Sequence, residues 1–298
     1  MREAPCAAGN AFGAICTSTD CIRPRGSCGR CTIFKEKERG NMRDVQQRRQ
    51  FAFVVRQLTA REIKRKYARS YLGIVWSVLN PLLSMAVLSL IFSQLFRRSI
   101  ENYPIYYLTG YILWQTFTGA TTAAMTTLAD NKMLLLKVKF PMDLFILTRV
   151  YTALINLGYS LVAYVLMLAV FQVTFKWTML FSPVIILCLI VFSLGISYML
   201  ATAYVFFGDI KHLYSVVLTL WMYCSAIFYP VEQLQGLIRV VIWNNPLYTY
   251  IHCLRKAVMY GALPDAVELL QMILWAAAIY GLGYGIFRRC RSRILQKI

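Results

Sequence analysis

Six apolar runs, separated by short polar or basic stretches, decide what this sequence can fold into. A helix needs about 20 predominantly apolar residues to cross a ~30 Å hydrocarbon core. The runs Leu72 to Phe96, Pro104 to Leu128, Leu144 to Phe171, Pro183 to Phe207 and Val267 to Phe287 meet that requirement; Leu213 to Tyr229 is short for a full crossing and stops at Pro230. The expected fold is an all-α polytopic membrane protein with six transmembrane helices. Composition agrees: 58% of the 298 residues are hydrophobic, 15% are charged and mean hydropathy is +0.54, too apolar for a soluble domain of ordinary make-up. A net charge of +19 would point to nucleic acid in a soluble protein. Here the Lys and Arg residues sit between apolar runs and in the tails, so no nucleic-acid partner is expected and membrane lipids are.

The chain enters the membrane between Leu58 and Leu83, where a basic segment turns without a linker into an apolar one. Thr59 and Glu62 have capping-box spacing and Leu58 and Ile63 flank them, which predicts a fresh helix starting at Ala60. Phe51, Val54, Val55 and Leu58 share one helical face and Ile63 and Tyr67 another, as two short helices meeting at Thr59 would require. The first would lie along the membrane surface. The second carries Arg61, Lys64, Arg65, Lys66 and Arg69, a cluster suited to anionic lipid headgroups or to phosphate on a substrate. The plainer alternative is a charge collar that only fixes orientation.

Asn80-Pro81 predicts a kink in the first span, because proline frees a carbonyl. Gly119, Ala120, Ala123 and Ala124 give the second span a small-residue face for close helix packing. Ala129 to Pro141 is amphiphilic, basic and too short to cross, and reads as a cytoplasmic helix ended by Pro141. Lys176 and Trp177 mark an interface, and Gly208 to His212 a tight polar turn. From Val231 to Pro264 no stretch is clean enough to span, so a pair of re-entrant or interfacial helices is expected between spans five and six. The surface holding both termini has most of the Lys and Arg, which places both termini in the cytoplasm. Arg97, Arg98, Arg255 and Lys256 run against that trend; the two readings are substrate contacts and, the favoured one, polar surface. The domain plan is a leader at 1–41, an amphipathic interface segment at 42–70, the transmembrane domain at 71–287 and a basic cytoplasmic tail at 288–298.

Cys188, Cys224, Cys253 and Cys290 are scattered through the hydrophobic part and read as packing residues. Cys6, Cys16, Cys21, Cys28 and Cys31 crowd a Gly/Arg/Ser-rich leader with no signal-peptide core. Cys28-Gly-Arg-Cys31 lacks a second C-x-x-C or a histidine pair to complete a zinc site, so no metal is expected. The favoured reading is that Met42 is the true start and the leader is disordered or not translated.

No P-loop signature occurs, so this chain does not itself hold a nucleotide that way. Gly281-Leu282-Gly283-Tyr284-Gly285 follows no strand and reads as packing. With only His212 and His252 available and no H-E-x-x-H or G-x-S-x-G, no catalytic residue is expected. Asp130, Asp143, Asp209, Glu232, Asp265 and Glu268 all fall at span ends or in loops, whereas ion coupling needs an ionisable group within a span. That weakens a secondary transporter. A membrane-embedded glycan polymerase or ligase would need a base or nucleophile near the outer face, where Glu232, His252, Asp265 and Glu268 form no recognisable pair.

The segment Arg61-Glu62-Ile63-Lys64-Arg65-Lys66-Tyr67, then Ser70, Leu72-Gly73, Trp76 and Asn80-Pro81-Leu82, resembles the entry motif of the type 2 ABC-transporter permeases that export O-antigen, teichoic acid and capsule. Gly110 to Phe117 around Trp114, Asn131 to Pro141, Asp209, Tyr229-Pro230 and Asn245-Pro246-Leu247 extend the resemblance over about Phe51 to Arg289. Departures are Leu113 and Ala226, where relatives carry Pro, and Gly208-Asp209, where they have Arg-Asp.

The resemblance implies a homodimeric permease in a bacterial cell membrane that works with two copies of a separate ATPase. ATP and Mg would then sit on that partner, with no cofactor on this chain. Asn131, Lys132, Lys137, Lys139, Phe140 and Pro141 become the coupling segment, with Asp209 a weaker second contact. The implied substrate is a lipid-linked glycan, commonly on polyprenyl diphosphate. Arg61, Lys64, Lys66 and Arg69 are then candidates for the diphosphate, and Trp76, Trp114, Tyr223, Phe228 and Tyr229 for a glycan path. A drug or lipid exporter of the same fold is the nearer rival.

Overall fold

The computed structural model describes residues 52–67, 73, 75–95, 102–137 and 141–297. All regular structure among them is helical. Helix α1 (52–67) is followed by α2 (Val75–Leu95), α3 (Tyr103–Met125), the short α4 (Thr127–Asp130) and α5 (Lys132–Lys137), and α6 (Asp143–Val170). A 3₁₀ turn (Trp177–Phe181) leads into α7 (Ser182–Phe206), then come α8 (Ile210–Cys224), α9 (Leu237–Trp243), α10 (Pro246–Arg255) and α11 (Ala266–Lys297).

Four segments are long and apolar enough to cross a membrane: Val75–Phe92, Asp143–Val170, Trp177–Phe206 and Ala266–Lys297. Two of the six expected spans are not among them, for different reasons. α3 has 23 residues, enough length, but its Thr, Tyr, Gly and Gln residues dilute its hydropathy. It can be more polar because it sits in the middle of the bundle, with 16 of those residues buried. α8 has only 15 residues, a rise of about 22 Å, and ends in an unwound turn.

The bundle is built around α3, which packs on α2, α6, α7 and α10. Three of its buried threonines donate within the helix: Thr109, Thr116 and Thr121 bond the carbonyls of Ile105, Ile112 and Phe117 at 2.7–2.9 Å. Ser193, Ser197 and Thr202 do the same in α7. A hydroxyl bonded to its own preceding turn carries no unpaired polar atom into an apolar interior. Phe117, Phe192, Trp221 and Tyr250 then close an aromatic core between α3, α7, α8 and α10, with centroids 5.3–6.4 Å apart.

α7 and α11 make the closest approach. A Cβ on Gly283 would lie 2.1 Å from the carbonyl oxygen of Gly195, and one on Gly195 would lie 2.5 Å from that of Ile279. Gly283 is thus the packing glycine of the 281–285 stretch; Gly281 and Gly285 face open space. α11 continues through the basic residues to Lys297, with Ile294 fully buried beside Phe287, so the tail is a docked helical extension.

Several expectations require correction. No helix restarts at Ala60: α1 is continuous from 52 to 67. Thr59 is 3% exposed inside it, and its Oγ1 has no hydrogen-bond partner among the described residues, while Glu62 reaches Arg149 rather than back to Thr59. A capping box requires the cap residue to leave helical geometry, and packing of this helix keeps Thr59 in it. Pro81 lies inside α2, with helical residues on both sides of it. The carbonyl that proline leaves free, that of Ser77, accepts from Ser160 Oγ on α6 at 3.4 Å.

The small face of α3 divides. Ala120 packs with Val150 and Ala153, and Ala124 with Leu128. A Cβ on Gly119 would meet nothing within 4 Å, and this glycine borders a cavity with Ala123. The polar turn before α8 is shorter than expected, because Lys211 and His212 already belong to the helix. Cys253 is buried, Cys188 and Cys290 are half-buried and Cys224 is exposed, so only part of that set packs. The leader with its five cysteines, Arg69, Arg97, Arg98, Lys139 and Phe140 lie outside the described residues.

Candidate functional site

At the end of the bundle carrying α1, a polar cavity of about 540 Å³ opens between α1, α3, α4 and α6. A narrower cavity of about 120 Å³ continues inward, sharing Lys66, Gly119, Ala153 and Asn156 with the first. Gly119 and Ala123 make the space by carrying no bulk. The inner part is lined by Ser77, Gln115, Thr116 and Ser160. Gln115 Oε1 is buried with no hydrogen-bond partner among the described residues. A buried amide oxygen normally finds a donor, so this cavity offers an unused acceptor to whatever enters it.

Four charged side chains set the chemistry at the mouth beside Arg65. Lys66 Nζ donates to Asn156 Oδ1 at 3.3 Å, and Tyr67 OH donates to the same oxygen at 3.1 Å, which fixes α1 against α6. Arg149 of α6 pairs with Glu62 of α1 and, at 3.3 Å, with Asp130 of α4. Arg65 and Lys66 border the same cavity as this triad. Of the predicted headgroup residues the structure therefore brings Lys66 to the cavity. Arg61 and Lys64 are exposed and do not border it. Arg149, Asn156 and Gln115 escaped the sequence reading; Arg149, a charge six residues into an otherwise apolar run, was the signal that was available.

The described part of the segment expected to act in coupling follows Asp130, which borders this mouth. Asn131 bonds the Thr127 carbonyl at 2.9 Å through Nδ2, joining α4 to α5, and Lys132 and Lys137 are exposed on α5 with Met133 and Leu136. Pro141 is exposed just before α6, and Asp209 precedes α8 as its exposed cap residue.

At the opposite end the chain between α8 and α9 unwinds, with Ala226 at φ 47°. Four successive carbonyls there are taken. Arg255 donates to Ala226 and Ile227 at 3.0 Å each, Tyr103 OH to Phe228 at 2.9 Å and Tyr106 OH to Tyr229 at 3.0 Å. Irregular backbone is tolerated at membrane depth only when protein satisfies it in this way. Arg255 is 3% exposed, which corrects its reading as polar surface. Asn245 finishes the arrangement by accepting from Leu247 N at the start of α10 and from Trp221 Nε1, while donating to the Cys224 carbonyl at the end of α8.

Of the five aromatic candidates, three gather here: Tyr223 and Phe228 have centroids 6.2 Å apart, and Tyr229 OH donates to the Tyr223 carbonyl. Trp76 lies on α2, 47% exposed. Trp114 is 6% exposed and packs against Phe117 in the core. The two short helices expected here are α9 and α10, the latter extended by a π-helical turn, Lys256–Tyr260.

His252 and Glu268, which showed no pairing in the sequence, meet in space: His252 Nε2 is 3.3 Å from Glu268 Oε1, and Lys256 bridges Glu268 and Asp265 at 3.0 and 2.7 Å. Burial lowers the His252 pKa below its usual value despite Glu268. The cluster ties α10 and the turn after it to the start of α11.

Residues 54–259 match the family described as ABC-2 type transporter. Among curated proteins, the chain is 29% identical over 265 residues to the O-antigen export system permease protein RfbA of Myxococcus xanthus, covering 86% of this chain and 100% of that protein. It is 27% identical over 241 residues to RfbA of Klebsiella pneumoniae, covering 80% and 92%. Polysialic acid transport protein KpsM of Escherichia coli matches at 24% over 256 residues, covering 81% and 95%. With a family match over most of its length and membrane-crossing helices on both sides of α3, the chain is a multi-pass membrane protein of the ABC-2 type transporter family.

Proposed function

We propose that this chain is the permease subunit of an ATP-driven exporter that moves lipid-linked cell-surface polysaccharide from the cytoplasm to the outer face of a bacterial cell membrane. The observation that carries the reading is the near full-length similarity to O-antigen and polysialic acid export proteins. In this reading α3 and α8 complete six spans and both termini are cytoplasmic, in keeping with the basic residues of α1 and the end of α11. The permease works as a homodimer with two copies of a separate ATPase, on which ATP and Mg reside. Asn131 to Pro141 docks on the ATPase, with Lys132, Lys137, Lys139 and Phe140 as contacts and Asp209 beside them.

The polar cavity at α1 gives the lipid-linked headgroup a place to bind. Lys66 and Arg65 face phosphate oxygens through charge-assisted hydrogen bonds, and Gln115, Ser77 and Asn156 offer acceptors and donors to the first sugar. Arg61, Lys64 and Arg69 act earlier, drawing the anionic headgroup to the surface. On the outer side Tyr223, Phe228 and Tyr229 present aromatic faces to sugar C–H surfaces, and Trp76 does so at the inner end. Trp114 supports the path from within the core.

The test is co-purification with the ATPase encoded beside it, followed by ATP hydrolysis with and without lipid-linked polysaccharide. Stable association that Lys137→Glu weakens about tenfold, equivalent to about 1.4 kcal/mol of binding, with hydrolysis responding to the glycan, supports the reading. Failure to associate with any ATPase rejects it.

A further inference from the structure

Arg149 spends every edge of its guanidinium on other helices. Nε donates to Thr127 Oγ1 at 3.2 Å, Nη1 to Glu62 Oε2 and Nη2 to Asp130 Oδ2 at 3.3 Å. Its partners lie on α4, α1 and α4 in that order, while Arg149 itself belongs to the long span α6. Asp130 is held for it by Thr126 Oγ1 at 2.9 Å, and Thr127 is 1% exposed. Among the described residues, the other polar ties of α1, from Lys66 and Tyr67, run to α6 and α2 and not to α4.

A planar fork with donors on three edges fits this junction in a way a lysine ammonium cannot. The triad also sits at the cavity mouth, and α4 leads within two residues into α5. Leu58 of α1 packs in the same apolar cluster as Leu128 and Leu135, but apolar contacts slide, whereas an ion-paired fork has discrete made and broken arrangements.

We infer that Arg149 is the positioning residue that couples the α4–α5 segment to α1, so that displacement of that segment reshapes the polar cavity. This rests on the exporter reading. A push delivered to α5 reaches Thr127 and Asp130 through a few residues of backbone, and Arg149 passes it to Glu62 on the helix whose Arg65 and Lys66 border the cavity. Through the chain alone the route from α4 to α1 would run back through all of α3 and α2.

The experiment uses the permease co-purified with the ATPase encoded beside it, in proteoliposomes, with lipid-linked polysaccharide extracted from the source cells as probe. The quantity read is polysaccharide moved per ATP hydrolysed, for wild type, Arg149→Lys, Glu62→Gln, Asp130→Asn and the Glu62→Gln/Asp130→Asn pair. Expected is a fall of about tenfold in that ratio for Arg149→Lys and a comparable fall for each carboxylate variant. The paired variant should be no worse than either alone, since breaking one arm already opens the joint. A wild-type ratio in Arg149→Lys overturns the inference, as do carboxylate losses that multiply, the pattern of two independent local supports. Should Arg149→Lys fail to fold, the isosteric carboxylate variants decide the matter on their own. A wild type that binds no ATPase or moves no polysaccharide rejects the exporter reading itself and takes this inference with it; a coupled wild type with coupled variants rejects the inference alone.

Discussion

Arg255 stands over the ring of Tyr106, its guanidinium carbon 3.5 Å from the ring centroid, and donates through Nε to the Tyr106 carbonyl at 3.2 Å. The same side chain takes up the Ala226 and Ile227 carbonyls. One buried cation therefore joins α3, the unwound end of α8 and α10.

That junction predicts a graded loss of stability. Arg255→Met keeps much of the volume but leaves three carbonyls short of donors, and should destabilise by about 3 kcal/mol or more. Arg255→Lys, able to satisfy fewer of them, should fall between. Thermal unfolding of the purified protein should rank wild type above Arg255→Lys above Arg255→Met; equal midpoints would remove Arg255 from this role.

The glycines of α11 separate by neighbour. Gly283→Ala pushes a methyl into the Gly195 carbonyl, which as backbone cannot turn aside, so a loss of about 1–3 kcal/mol is expected. Gly281→Ala and Gly285→Ala meet open space and should stay within about 0.5 kcal/mol of wild type, or gain slightly from helix propensity. The comparison needs four unfolding midpoints in one detergent, those of the three variants and of wild type.

His252 gives the end of the bundle that carries α10 a pH dependence. Its neighbours are Glu268 at 3.3 Å, Tyr248 OH at 3.4 Å, and the charges of Lys256, Arg255 and Glu232. Burial outweighs the carboxylates and holds its pKa below the usual 6.5. The folded protein then binds fewer protons than the unfolded chain, so this contribution is fully present above pH 6.5 and is lost as pH falls through the lowered folded pKa. His252→Gln should flatten the drop in unfolding temperature on the acid side; an unaltered profile would show that another group sets it.

Charge reversal should distinguish residues of α1 that look alike in sequence. Lys66 contacts Asn156 and borders the cavity, while Lys64, two residues earlier, is exposed away from it. Lys66→Glu should reduce polysaccharide export at least about tenfold, with Lys64→Glu losing only the weaker surface attraction, about 1 kcal/mol. Equal effects would favour a uniform charge collar. The readout is surface polysaccharide per permease molecule in the membrane.

Much of this was legible in the chain itself. Continuous apolar runs located α2, α6, α7 and α11, and the mixed segment after Pro230 foretold short helices. Local rules failed where tertiary contacts outbid them. The Thr59–Glu62 spacing suggested a cap, yet Glu62 had a stronger partner in Arg149, far along the chain. Arg255 and Lys256 looked equally like surface, and only packing shows that one is buried among carbonyls while the other bridges two carboxylates. Gly119 and Gly283 both suggested close packing; a sequence cannot say which glycine meets backbone and which leaves a hole. The cavity is made by such a hole, and its Gln115 oxygen, without a partner among the described residues, lies in the middle of an apolar run.

The most direct measurement is ATP-dependent transfer of lipid-linked polysaccharide across proteoliposomes holding this permease and its neighbouring ATPase. Transfer should appear with ATP and Mg, and vanish when the ATPase is omitted or its hydrolysis is blocked. Transfer that proceeds without the ATPase, or none with an ATPase that is bound and hydrolysing, would contradict the account.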